Sequence, residues 1–171
     1  FLESSKYWHF EELVAATGVC RSQVAYYLQK FTRKGFLSRI KKKAKMPYYV
    51  QNASNPAFQT RKRLYALNLL TKSGLLDHLA ALKGAKAVIL FGSFSRWDWD
   101  KDSDIDIFIY GKADDFKAGK YEIALKREIE VHGAENKKEM RNMSKMLPYI
   151  IAGDFIKGSI EDLGVEIRAK A

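Results

Sequence analysis

The sequence predicts two unlike domains: a small basic α+β module of helices and a hairpin, then an α/β domain whose mixed sheet is flanked by helices. Three observations predict this. Apolar residues recur at helical spacing up to Gly35 and then give way to two short runs around a Lys-rich loop. From Ala85 onward, Val- and Ile-rich runs of strand length alternate with helical segments. Excess positive charge is confined to the first third: residues 1–63 hold 13 Lys and Arg against 3 Asp and Glu, whereas residues 64–171 hold 17 of each.

Such segregated charge suggests a nucleic-acid-facing module joined to a neutral one, with an unpartnered basic surface as the plainer reading. An apolar fraction of 47% supports packed cores rather than disorder. Cys20 is the single cysteine, which excludes an intrachain disulfide or a Cys-rich zinc site and fits a cytoplasmic location. The longest apolar run, near Ala85–Gly92, is too short to span a bilayer, so no membrane partner is expected. The chain opens on Phe1 rather than Met, and its first residues lack the pattern of a signal peptide.

The first domain is expected over residues 1–52. Phe10–Ala16 reads as a short helix with Phe10, Leu13 and Val14 inward, closed at Gly18. Cys20–Lys34 reads as a second helix, with Val24, Leu28 and Phe31 as its buried stripe. Two strands, Phe36–Ile40 and Tyr48–Val50, then flank the loop 41–47. Helix, turn, helix and basic hairpin is the order of a winged helix-turn-helix domain. Arg21, Ser22, Gln23, Ala25 and Tyr26 would face outward as a recognition helix presents them. Lys41, Lys42, Lys43 and Lys45 would reach phosphates of double-stranded DNA. A structural bundle that binds a protein partner is the alternative.

Residues 53–83 read as a helical linker, with helices Phe58–Leu70 and Leu75–Leu82 broken at Ser73-Gly74; they could equally form the first layer of the next domain. The second domain is expected over residues 84–171. Its strands would be Ala85–Phe91, Ile105–Tyr110, Arg127–His132 and Val165–Arg168, with helices over Tyr121–Lys126 and Met143–Ile156.

The chemistry centres on Gly92-Ser93, ten residues, and then Asp104-Ile105-Asp106. Gly92 lacks a Cβ, so backbone could approach a phosphate closely. Ser93 would open a helix whose free amides bind phosphate oxygens. Residues two apart on a strand share a face, so Asp104 and Asp106 would present their carboxylates together to a hard divalent cation, Mg²⁺ or alternatively Mn²⁺. Five alternating Asp residues from Asp98 to Asp106 also suggest a calcium loop. An EF-hand starting at Asp98 would need Gly at Ser103 and Glu at Ile109, and has neither. A solvated acidic turn is the remaining plain reading. His9, His78 and His132 show no ligand spacing and read as surface or packing residues. Trp97 and Trp99 read equally as base-stacking or core residues.

Gly-Ser, ten residues, then Asp-x-Asp and an apolar strand resembles the motif of the DNA-polymerase-beta-like nucleotidyltransferases. The helix-turn-helix, the Asn55-Pro56 linker and the Leu-rich helices extend the resemblance to an archaeal-type minimal nucleotidyltransferase with an N-terminal winged helix-turn-helix. The resemblance implies metal-dependent transfer of a nucleoside monophosphate from an NTP, with Arg96 contacting phosphate beside Gly92 and Ser93. It also implies a third carboxylate on a later strand, for which Glu128 and Glu130 both qualify. The chain departs from the pattern at Trp97, where relatives often carry Gly, and the ring would narrow a nucleotide pocket.

The leading expectation is therefore a nucleotidyltransferase coupled to DNA binding. The alternatives are a DNA-binding transcription regulator whose second domain senses nucleotide, or an antitoxin-type protein paired with a small helical toxin.

Overall fold

The computed structural model describes residues 1–164, so the strand expected over Val165–Arg168 lies outside the described residues. The chain divides into two compact units, Phe1–Lys62 and Arg63–Ala171.

In the first unit, helices α1 (Phe10–Thr17) and α2 (Arg21–Arg33) are followed by strands β2 (Leu37–Ile40) and β3 (Tyr48–Gln51). The short strand β1 (Trp8–His9) pairs antiparallel with the other edge of β3, giving the order β1-β3-β2. The start of α1 is fixed by Glu12, whose Oε2 accepts the His9 backbone N–H at 2.8 Å. Val24, Leu28, Phe36 and Phe58 form the buried centre of this unit. Phe10, Leu13 and Val14 are half-buried rather than fully enclosed. Phe31 departs from the expected stripe with 36% exposure. It lies in the last turn of α2, where its ring meets Tyr27 and Phe36.

Helix α3 (Pro56–Lys72) crosses the boundary between the units. Its N-terminus is capped by Asn55, whose Oδ1 accepts the Phe58 N–H at 3.0 Å, and Pro56 occupies the first turn, where a missing N–H costs nothing. In the second unit, Ala66 and Leu70 of α3 and Leu75 and Leu79 of α4 (Leu75–Ala81) are wholly buried in the domain core. The segment read as a linker thus supplies a core layer.

Strands β4 (Ala85–Phe91), β5 (Ile105–Gly111), β6 (Ile129–Ala134) and β7 (Asp154–Lys157) form a mixed sheet among the described residues, in the order β6-β5-β4-β7. β4 and β5 are antiparallel, β5 and β6 parallel, and β7 runs antiparallel along the far side of β4. Short helices α5 (Gly92–Ser95), α6 (Gly119–Leu125), α7 (Lys137–Asn142) and α8 (Leu147–Ile151), with a 3₁₀ turn at Glu161–Leu163, connect and flank the strands.

Strand alternation sorts the side chains into two cores. Ile105, Ile107 and Ile109 pack with Leu79, Trp99 and Tyr121 on one face. Phe91, Phe108 and Tyr110 pack with Met140, Ile150 and Leu163 on the other. Asp106 has the parity of Phe108 and therefore opens onto the second face.

Two expected elements differ. The helix expected over Met143–Ile156 is α8 followed by strand β7. Pro148 starts the helix, and Gly153 lets the chain cross β4 closely, since a Cβ there would lie 2.4 Å from the Leu90 carbonyl oxygen. The strand expected from Arg127 begins at Ile129, because Lys126 adopts a left-handed conformation (φ 53°) at the end of α6 and turns Arg127 aside. No helix among the described residues is long and apolar enough to cross a membrane.

Candidate active site

The site lies in the second unit, where β4 ends and β5 and β6 begin. Phe91 pairs with Asp106 across β4 and β5, and Asp106 pairs with Glu130 across β5 and β6. Beyond Phe91 the chain turns through Gly92, at φ 70°, into the four-residue helix α5. A Cβ on Gly92 would stand 1.8 Å from Oδ2 of Asp106. The carboxylate thus occupies the space that any side chain at position 92 would need. Ser93 is half-buried next to it, and Ser95 Oγ donates to the Gly92 carbonyl at 3.1 Å, tying down the turn.

The segment between α5 and β5 is held from beneath. Trp99, fully buried, stacks on Phe94 (5.2 Å between centroids) and on Tyr65 (6.0 Å). It is a core residue, which rules out base stacking for this ring; each aromatic pair of this kind adds about 0.5–1.5 kcal/mol beyond area burial. Trp97 is half-buried. Arg127 lies over the Phe94 and Trp99 rings and donates from Nη1 to the carbonyl oxygens of Asp100 (2.6 Å) and Ser103 (2.8 Å). Sequence reading missed this arginine; its signal was a lone cation placed at the mouth of an apolar strand and facing a loop rich in aspartate.

Asp106 is half-buried and its carboxyl is raised above the usual carboxylate range, first by burial and then by the charge of Glu130. His132 and Arg96 oppose that shift, while Asp104 adds to it. Donor atoms of Asp106, Glu130 and His132 all lie within 4.8 Å of one another, and His132 Nε2 is 3.4 Å from Glu130 Oε1. Two crowded carboxylates beside an imidazole are a donor set that fits a divalent cation, which would relieve their repulsion. His132, read from sequence as an ordinary residue, belongs to this cluster.

The other expected site residues are not members of this three-donor cluster. Asp104 is exposed one residue ahead of β5 and is not in the three-donor cluster. Glu128 is exposed ahead of β6, and its carbonyl accepts the Ile105 N–H at 3.0 Å. Arg96 is exposed and bound to Asp98, Nε to Oδ1 at 3.1 Å and Nη2 to Oδ2 at 3.0 Å.

In the first unit, Arg21, Ser22, Gln23 and Tyr26 are exposed along the start of α2, and Lys41, Lys42, Lys43 and Lys45 are exposed on the loop between β2 and β3. Arg21 is engaged by Glu11 through two hydrogen bonds, Nη2 to Oε1 at 2.8 Å and Nη1 to Oε2.

The model of the nucleotidyltransferase domain family matches residues 72–165. No curated protein and no solved structure matches the chain.

Proposed function

The chain belongs to the nucleotidyltransferase domain family, and on that premise we propose that it moves a nucleoside monophosphate from an NTP to an acceptor at the Gly92–Asp106–Glu130 site, and that its first unit binds duplex DNA. The observation that carries the catalytic part is the fit of the Asp106 carboxylate into the space above Gly92, inside the matched region. Asp106 and Glu130 would hold a divalent cation, which would supply charge neutralisation at the phosphates and acidify an attacking hydroxyl. Asp104, whose charge already reaches Asp106, adds acidity at the open side of the site.

Gly92 and Ser93 receive the phosphates at the turn after β4, beside the Asp106 carboxylate that fills the space above Gly92. Arg96 leaves Asp98 for a phosphate, exchanging one anionic partner for another. The acceptor hydroxyl gives up its proton to solvent, its oxygen bonds to the α-phosphorus, the bond from that phosphorus to the bridging oxygen breaks, and pyrophosphate departs. The pairing of Glu130 with Asp106 supports Glu130, rather than Glu128, as the third carboxylate. DNA binding by a winged helix-turn-helix arrangement rests on the exposed Arg21–Tyr26 face, the exposed lysine loop and the charge of the first third of the chain.

Calorimetry tests the site. NTP should bind the wild type more tightly with Mg²⁺ than without it, and this gain should vanish in the Asp106→Asn, Glu130→Gln double variant. An undiminished metal-dependent affinity in that variant would remove both residues from the site.

A further inference from the structure

His132 has a place in the site that an accessory packing residue would not need. The parallel register sets Glu130 beside Asp106 and His132 beside Phe108, so Glu130 and His132, two apart, share the face onto which Asp106 opens. The imidazole rests against the Phe91 ring, 5.5 Å between centroids and tilted by 58°. Its side chain is 20% exposed while that of Glu130 is 56% exposed. The ring is therefore held by the protein as its Nε2 faces the carboxylates.

We propose that His132 is a nitrogen ligand of the cation held by Asp106 and Glu130, making a two-carboxylate, one-imidazole site that favours Mn²⁺, Co²⁺ and Zn²⁺ relative to an all-oxygen site. This inference rests on the reading of Asp106 and Glu130 as metal ligands. Ligand bonds of about 2.0–2.2 Å set neighbouring donors around an ion roughly 3–3.5 Å apart. The three donor atoms already lie within 4.8 Å of one another, and His132 Nε2 is 3.4 Å from Glu130 Oε1. Imidazole suits the later divalent metals, whereas Mg²⁺ takes oxygen donors and gains little from a nitrogen. A histidine that only hydrogen-bonds Glu130 would leave the order of metal affinities unchanged.

Mn²⁺ is the probe, used with the full chain. Pulsed electron paramagnetic resonance of the Mn²⁺-loaded protein should show ¹⁴N coupling, and His132→Gln should abolish it. Titration should show Mn²⁺ affinity falling at least about tenfold in His132→Gln, the loss that even outer partners of a metal carry, with Mg²⁺ affinity changed far less. His132→Asn, a second replacement without an imidazole, should behave alike. If Mn²⁺ binds through Asp106 and Glu130 but the wild type lacks ¹⁴N coupling, or keeps it in His132→Gln, His132 is not a ligand and the proposal falls alone. If the Asp106→Asn, Glu130→Gln variant binds Mn²⁺ as well as the wild type, or the wild type binds none, the underlying metal site falls with it.

Discussion

A β-carbon on Gly92 would sit 1.8 Å from Oδ2 of Asp106, and Gly92 holds a φ of 70° that side chains rarely adopt. Gly92→Ala should therefore do two things. The left-handed backbone alone should cost about 1–2 kcal/mol of stability. The methyl should also push the Asp106 carboxylate aside, and a displacement near 1 Å in a catalytic group can lower turnover by about 100-fold. Urea unfolding measures the first and steady-state turnover the second. Full activity in Gly92→Ala would show that the position of Asp106 does not matter.

Asp106 carries a stability signature of its own. Burial and Glu130 raise its folded pKa, so the folded protein prefers the protonated form and ionisation opposes folding. That penalty is present in full above the folded pKa. It fades as pH falls through that value and is gone below the unfolded value of about 3.9. Without metal, Asp106→Asn should thus be more stable than the wild type at pH 7, and the difference should shrink towards zero on acidification. Saturating Mn²⁺ should reverse the order at pH 7 by stabilising only the wild type. Urea midpoints across a pH series, with and without the ion, read both effects.

Arg127 should matter to the acidic loop without touching substrate. Arg127→Met keeps a stem over Phe94 and Trp99 but loses the donors to Asp100 and Ser103. A charge-assisted hydrogen bond contributes about 1.5–3 kcal/mol, so a loss of that size is expected in urea unfolding. Protease cleavage within residues 97–104 should quicken. Unchanged stability and cleavage would mean that the loop is held by Trp99 alone.

Much of this arrangement is legible in the sequence. The bounds of β4 and β5 follow from runs of Val, Ile and Leu, and the Gly92 turn from a glycine that ends such a run. What was hidden depends on contacts between segments far apart. The largely apolar stretch from Leu147 to Ile156 is read from sequence as part of one helix, yet Gly153 breaks it and lets the chain cross β4 into β7. His132 joins Asp106 only through the parallel register of β5 and β6, which no local pattern encodes. Arg127 serves carbonyl oxygens more than twenty residues away. Trp99 could be assigned to the core only once Tyr65, from the segment read as a linker, was found stacked on it.

The first unit should bind duplex DNA with a steep salt dependence. Each phosphate contact contributes a slope of about 0.9 in log affinity against log salt, so replacing Lys41, Lys42 and Lys43 with Ala should flatten the slope by up to roughly 3. Arg21→Ala or Gln23→Ala should reduce discrimination between sequences more than total affinity. Mobility-shift titrations at several salt concentrations measure both, and no binding at low salt would show that this unit does not bind duplex DNA.

Attack at the α-phosphorus in the site of Asp106 and Glu130 can be measured by incubating the protein with α-labelled or γ-labelled NTP, a divalent cation and a lysate that contains candidate acceptors. Label from the α-position should become covalently attached to an acceptor, with release of pyrophosphate, and should be lost in Asp106→Asn and Glu130→Gln. Transfer of label from the γ-position, or α-labelling undiminished in those variants, would contradict it.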